Sequence, residues 1–153
     1  MNFPSKNQLN ATESPGLLFI KAYNNWHTEI KKQLKKIDLT HPQFVVMASL
    51  GYLSQHDEEV TQVMIATLAE MDVMTTSQIL TLLDKKGWII RRTHATDTRA
   101  KAIELTTEGH HMLTKALPIV ETIDAHYFAC LEAEQESFKT NLRQLAAYSF
   151  GEK

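Results

Sequence analysis

Apolar residues recur at spacings of three and four along most of the chain, the 3.6-residue period of amphipathic helices, and one segment departs from it. Ser14 followed by Pro15 reads as an N-cap with proline at the first helical position. Leu17, Leu18, Ile20, Ala22, Tyr23, Trp26, Ile30 and Leu34 then carry an apolar stripe to about Lys36. The stripe is wider than one core-facing side needs, which suits a helix that also packs on a partner chain, with an ordinary core helix of a monomer as the alternative. Thr40 and Gln43 form a capping box with Pro42 in the first turn, so a second helix starts here, runs to about Ser54, and buries Phe44, Met47, Ala48, Leu50 and Leu53. Gln55–Glu59 is a polar, acidic connection. Thr61 caps a short third helix carrying Val63, Ile65, Ala66, Leu68 and Ala69.

Asp72 caps a fourth helix, from about Val73 to Lys86, which Gly87 stops. Thr76, Ile79, Leu80 and Leu83 share its inner face, while Met74, Gln78, Thr81 and Lys85, flanked by Thr75 and Ser77, share the outer one. That outer face is rich in short hydrogen-bonding side chains, unlike a merely solvating face of Glu and Lys. The period then changes: Trp88–Thr93 and Ala102–Thr106 alternate and predict two paired strands. His94–Lys101 between them is too long for a tight turn and predicts a projecting basic loop. Thr106 caps a fifth helix, with Pro118 inside it as an expected kink, and a last helix runs from about Glu132 to Ala147 with Phe138, Leu142, Leu145 and Ala146 on one side.

The 153 residues fit one domain, and 43% hydrophobic with 22% charged residues fits a folded chain rather than a disordered one. The net charge of −2 argues against a polyanion binder until it is divided along the chain. Residues 1–71 carry a net −1, residues 72–101 a net +3 and residues 102–153 a net −4. Positive charge therefore gathers on the fourth helix and the hairpin. No apolar run approaches the ~18–20 residues of a membrane span, Met1–Ser14 lacks the basic start and apolar core of a secretory signal, and the lone Cys130 fits a reducing compartment; the expected location is the cytoplasm.

Two helices joined by a short connection and followed by a hairpin with a long basic tip predict a mainly α chain with a small β element (α+β), a winged helix-turn-helix whose second helix enters the major groove. The chain resembles the MarR family of winged helix-turn-helix transcriptional regulators from Ser14 to Tyr148. Leu39-Thr40-His41-Pro42-Gln43-Phe44 is similar to the family's helix 2 opening, Asp97-Thr98-Arg99-Ala100 resembles its wing signature, and Leu105-Thr106-Thr107-Glu108-Gly109 resembles the junction after the wing. The resemblance implies that Arg99 reaches the minor groove and that Asp97 orients it, and an exposed arginine at a loop tip suits a narrow, electronegative groove.

It further implies a homodimer on double-stranded DNA, residues 1–153 forming one domain in which 15–36 and 107–148 dimerise and 40–106 bind DNA. Gln78, central on the outer face, has the donor and acceptor to read an adenine edge. Thr75, Ser77 and Thr81 suit phosphates or thymine methyls, and Lys85, Arg91, Arg92 and Lys101 suit the DNA backbone. Many relatives carry an arginine near Gln78; this helix has none, so guanine readout by it is not expected. Family members often bind small aromatic or anionic effectors between the dimer helices and the DNA-binding lobe, where Tyr23, Trp26, Phe44 and Met47 are candidates to line a pocket. The relatives that sense oxidants use a cysteine early in the first helix, which is absent here. The implied protein is a repressor without a cofactor and not an enzyme.

The seven histidines keep a metal-binding alternative open. Adjacent His110 and His111 point ~100° apart on a helix and do not share one ion, and there is no His-Glu-x-x-His, so such a site needs distant positions such as His27 or His41. A purely structural dimer module is the third reading, and it predicts no salt-dependent DNA affinity.

Overall fold

Side-chain caps set the helix starts in the computed structural model, which describes residues 1–57 and 59–151. Ser14, Thr40, Thr61, Asp72 and Thr106 each accept a backbone N–H three residues on and open α1 (Pro15–Lys35), α2 (His41–Leu53), α3 (Gln62–Ala69), α4 (Val73–Lys85) and α5 (Thr107–Phe128). The capping box of α2 is complete, with Gln43 Oε1 accepting the Thr40 N–H at 3.2 Å. The turn between α3 and α4 closes at Glu70 in the left-handed region, φ 53, and α4 is followed by Gly87 at φ 76, where a glycine avoids the steric cost. Strands β1 (Ile89–Thr93) and β2 (Lys101–Leu105) pair antiparallel, with Ile89 opposite Leu105 and Thr93 opposite Lys101. The Val60 carbonyl accepts the Ile103 N–H at 2.8 Å and ties the α2–α3 connection to β2. Glu58 of that connection lies outside the described residues.

The core sits in the lobe built by α2, α3, α4 and the hairpin, closed by parts of α1 and α5. Its fully enclosed side chains include Ile30, Leu34, Met47, Leu50, Ile65, Leu80, Leu83, Ile89 and Ile103. Outside the lobe the apolar surface is uncovered. In α1 only Ile30 and Leu34 are buried, while Leu18, Phe19, Ile20 and Tyr23 are exposed, and α6 (Gln135–Ala147) buries no residue at all. The uncovered side of α1 is the one its wide apolar pattern marked.

One boundary differs from the expectation. The last helix begins at Gln135 rather than Glu132, because Ala129–Glu134 forms 3-10 turns broken at Glu132, whose φ of 51 no α-helix accommodates. Pro118 lies within α5, where the sequence reading puts it, and the helix continues through it to Phe128. Ahead of α1, Asn10 caps a 3-10 turn at Ala11–Glu13. No helix of the described residues is long and apolar enough to cross a membrane.

Candidate nucleic-acid interface

Helix α4 turns Thr76, Ile79, Leu80 and Leu83 into the core and leaves Thr75, Gln78 and Lys85 exposed on its outer side, with Ser77 and Thr81 half-buried. Two of the hydroxyls are already engaged. Thr75 donates from Oγ1 to Asp72 at 2.7 Å and Thr81 to the Ser77 carbonyl at 3.0 Å. The Thr75 hydroxyl and amide together hold the Asp72 carboxyl below the usual carboxylate range, which keeps the cap charged at the helix N-terminus. Gln78 and Lys85 stand free of such partners among the described residues, and Met74 adds an exposed apolar side chain beside them.

The hairpin carries its cations differently. Arg91 is braced on α4 by Nη2 and Nε donating to Asp84 at 3.0 and 3.2 Å. Arg92 pairs across the strands with Glu104 at 3.0 Å. Lys86 donates to the Asp38 carbonyl at 3.2 Å and lies over the Trp88 ring, 4.5 Å from its centroid. Lys101 is exposed at the start of β2. At the tip, the Asp97 carboxylate accepts the Arg99 N–H at 3.1 Å and stands 3.5 Å from Nε, yet the Arg99 side chain is 92% exposed. Asp97 and Arg99 are thus brought together as the wing signature implies, with the guanidinium directed outward. Sequence reasoning passed over Asp84, Glu104, Glu59 and His94, which hold the wing. Their partners are spread along the chain and no periodic pattern marks them.

A model described as an ArnR1-like winged-helix domain matches residues 34–123. The Bacillus subtilis HTH-type transcriptional regulator YdcH is 39% identical over 132 residues, covering 86% of this chain and 89% of that one. The chain belongs to the MarR family of winged helix-turn-helix transcriptional regulators. Escherichia coli HosA, a further transcriptional regulator, is 30% identical over 71% of the chain and 78% of its own length. Among solved structures, Staphylococcus aureus MepR in complex with DNA superposes with TM-score 0.77 at 29% identity, over 88% of this chain and 97% of that one. Bordetella bronchiseptica BpsR, whose DNA binding is regulated by 6-hydroxynicotinic acid, shares the fold with TM-score 0.81 at 20% identity over 92% of this chain and 98% of its own. The two-stranded wing packs beside α4, the second helix of the helix-turn-helix.

The four residues expected to line an effector pocket separate. Phe44 and Met47 are 7% and 0% exposed within the closed core, because α2 is apolar on nearly every side and is packed on several elements at once. Neither borders either of the two cavities beside Trp26. Trp26 borders a cavity of about 710 Å³ between α1 and α5 that also meets Glu29, Gln33, Ile123 and His126. Tyr23 and Trp26 both border a smaller one of about 220 Å³ with Phe19, Tyr127, Phe128 and Phe138. Trp26 Nε1 donates to Asp124 at 2.7 Å and so joins α1 to α5. His27 and His41 lie near it with ring centroids 5.0 Å apart, and burial, then the neighbouring His27, lower the pKa of His41 against the opposing pull of Asp124. Among the described residues no group of three or more His, Cys, Asp or Glu side chains is placed to hold a metal ion.

Proposed function

We propose that this chain is a sequence-specific DNA-binding repressor of the cytoplasm, acting as a homodimer on a pseudo-palindromic operator and released by a small-molecule effector. The observation that carries the reading is the joint exposure of two elements on one rigid core: the polar face of α4 around Gln78, and a wing tip whose Arg99 is oriented by Asp97 and 92% exposed. In this reading Gln78 reads a base edge in the major groove, and Thr75, Ser77 and Thr81 face phosphates or thymine methyls. Lys85 and Lys101 hold the backbone, with Arg91 and Arg92 offering the donors that Asp84 and Glu104 leave unused. Arg99 enters the flanking minor groove.

The uncovered apolar sides of α1 and α6 support dimerisation, since large exposed apolar faces are seldom left to water. Two copies related by a two-fold axis set their α4 helices about one DNA turn apart, ~34 Å. An effector seated beside Trp26, at the joint of α1 and α5, changes that spacing and so the affinity for DNA. The reading is tested by fluorescence anisotropy on an operator selected from random duplexes. Arg99→Ala is expected to weaken binding by about 10- to 100-fold while dimer and fold persist. Unchanged affinity would overturn the assignment of the wing.

A further inference from the structure

The base of the wing is held by a hydrogen-bonded chain that starts away from the DNA-reading residues and ends at Asp97 and Arg99. It begins at Val60, which is buried and whose carbonyl accepts the Ile103 N–H at 2.8 Å, so the backbone of the α2–α3 connection is fixed against β2. The preceding residue, Glu59, therefore leaves from an anchored position. Its carboxylate oxygens accept the Ala95 N–H at 3.0 and 3.2 Å, and Oε2 lies 2.9 Å from Nε2 of His94. The other ring nitrogen of His94, Nδ1, accepts the N–H of Asp97 at 3.0 Å and that of Thr96 at 3.2 Å.

Two backbone donors on Nδ1 require a lone pair there, which places the imidazole proton on Nε2, donated to Glu59. A hydrogen bond to an ionised acceptor is the stronger kind. The side chains of His94 and Glu59 are only 17% and 30% exposed, against 92% for Arg99, so the fastening is shielded while the residue it serves is not. The His94 N–H closes the loop on the Ala100 carbonyl at 3.2 Å. Asp97, its amide held by His94, then receives the Arg99 N–H. The chain of contacts runs unbroken from a buried anchor to the wing arginine.

We propose that Glu59 and His94 are positioning residues for DNA recognition: a carboxylate–imidazole latch that orders the wing loop before DNA arrives, so that the entropy of fixing Arg99 is not lost at binding. This inference rests on the reading of the wing as a DNA-contacting element. Simple electrostatics predicts the opposite effect of removing Glu59, because an acid beside a DNA-facing cationic surface repels phosphate and its loss alone strengthens binding. The sign of the effect separates the two accounts.

The test combines hydrogen exchange of the free protein with anisotropy on the selected operator, for Glu59→Ala, Glu59→Gln, His94→Ala and His94→Asn. In Glu59→Ala the amides of Ala95, Thr96 and Asp97 are expected to exchange about tenfold faster while those of α2 and α4 are unchanged. DNA affinity is expected to fall about tenfold, and the loss should be much smaller in an Arg99→Ala background, since both act through one side chain. His94→Asn keeps an acceptor where Nδ1 stands, so Thr96 and Asp97 remain more protected than in His94→Ala, and affinity lies between the two. Glu59→Gln keeps the shape and one acceptor oxygen, and gives the same signs at smaller size should the alanine variant lose its fold. Unchanged exchange in the wing of Glu59→Ala would overturn the latch. Faster exchange with equal or tighter DNA binding would overturn the positioning role. A wild-type protein that enriches no duplex, yet shows the exchange pattern, would overturn the DNA reading and leave the latch itself standing.

Discussion

Gly109, the third residue of α5, sits where the helix start crosses the backbone of Trp88. Thr106 organises this junction: its N–H donates to the Trp88 carbonyl at 3.0 Å, its hydroxyl donates to the Gly87 carbonyl at 2.6 Å, and its oxygen accepts the Gly109 N–H at 3.0 Å. A Cβ on Gly109 would overlap the Trp88 carbonyl oxygen and lie 2.8 Å from the Trp88 carbonyl carbon and 3.1 Å from its Cα. All three are backbone atoms, so no flexible side chain is available to yield. Gly109→Ala gains up to about 1 kcal/mol in helix propensity. Against this, forcing atoms into a packed site costs about 1–3 kcal/mol, occasionally more, and each displaced Thr106 hydrogen bond about 1 kcal/mol. The balance is a net destabilisation of about 2–4 kcal/mol, or a Tm lower by about 5–15 °C for a chain of this size. Urea and thermal unfolding followed by circular dichroism at matched protein concentration measure it, since self-association raises apparent stability. A variant as stable as the parent, or more so, would refute the close approach and leave helix propensity as the only effect.

Two further outcomes follow from the site. Gln78→Ala is expected to relax specificity at one base pair by about 1–3 kcal/mol; equal loss on all operator variants would place Gln78 on phosphate instead. His41 titrates below the usual imidazole value because burial and His27 disfavour its charge, so the unfolded chain binds its proton first as pH falls. Its contribution is therefore constant above about pH 6.5 and is lost as pH drops below that value through the folded pKa. Urea midpoints measured from pH 7.5 to 5 should show this fall flattened in His41→Gln, and parallel curves would contradict it.

Much of the fold was legible because its signals are local. Caps at Ser14, Thr40, Thr61, Asp72 and Thr106 act within three residues, and the change of period at Trp88 marks the hairpin directly. The unburied side of α1 was also visible, since a stripe wider than the core needs is written in the pattern itself. The break before α6 was not, because the left-handed Glu132 has no glycine or asparagine to announce it. The family resemblance makes Phe44 and Met47 pocket candidates, but apolar residues at helical spacing look alike whether they line a cavity or fill a core, and only packing on all sides distinguishes them. Charge was half legible. The net +3 of residues 72–101 located the wing and α4, but Arg91 spends part of its charge on Asp84 and Arg92 on Glu104, so Lys85, Arg99 and Lys101 are the cations most available to phosphate. Glu59 and His94 lie far apart in the chain and meet only when Val60 joins β2.

The central claim is that two copies of this chain read an inverted repeat. Selecting bound duplexes from a random pool, then weighing the complex with the enriched duplex by sedimentation, tests it most directly. The expected result is an inverted repeat with half-sites about one helical turn, ~34 Å, apart, occupied by two chains per duplex. Enrichment of no sequence, or of a single asymmetric site bound by one chain, would contradict it.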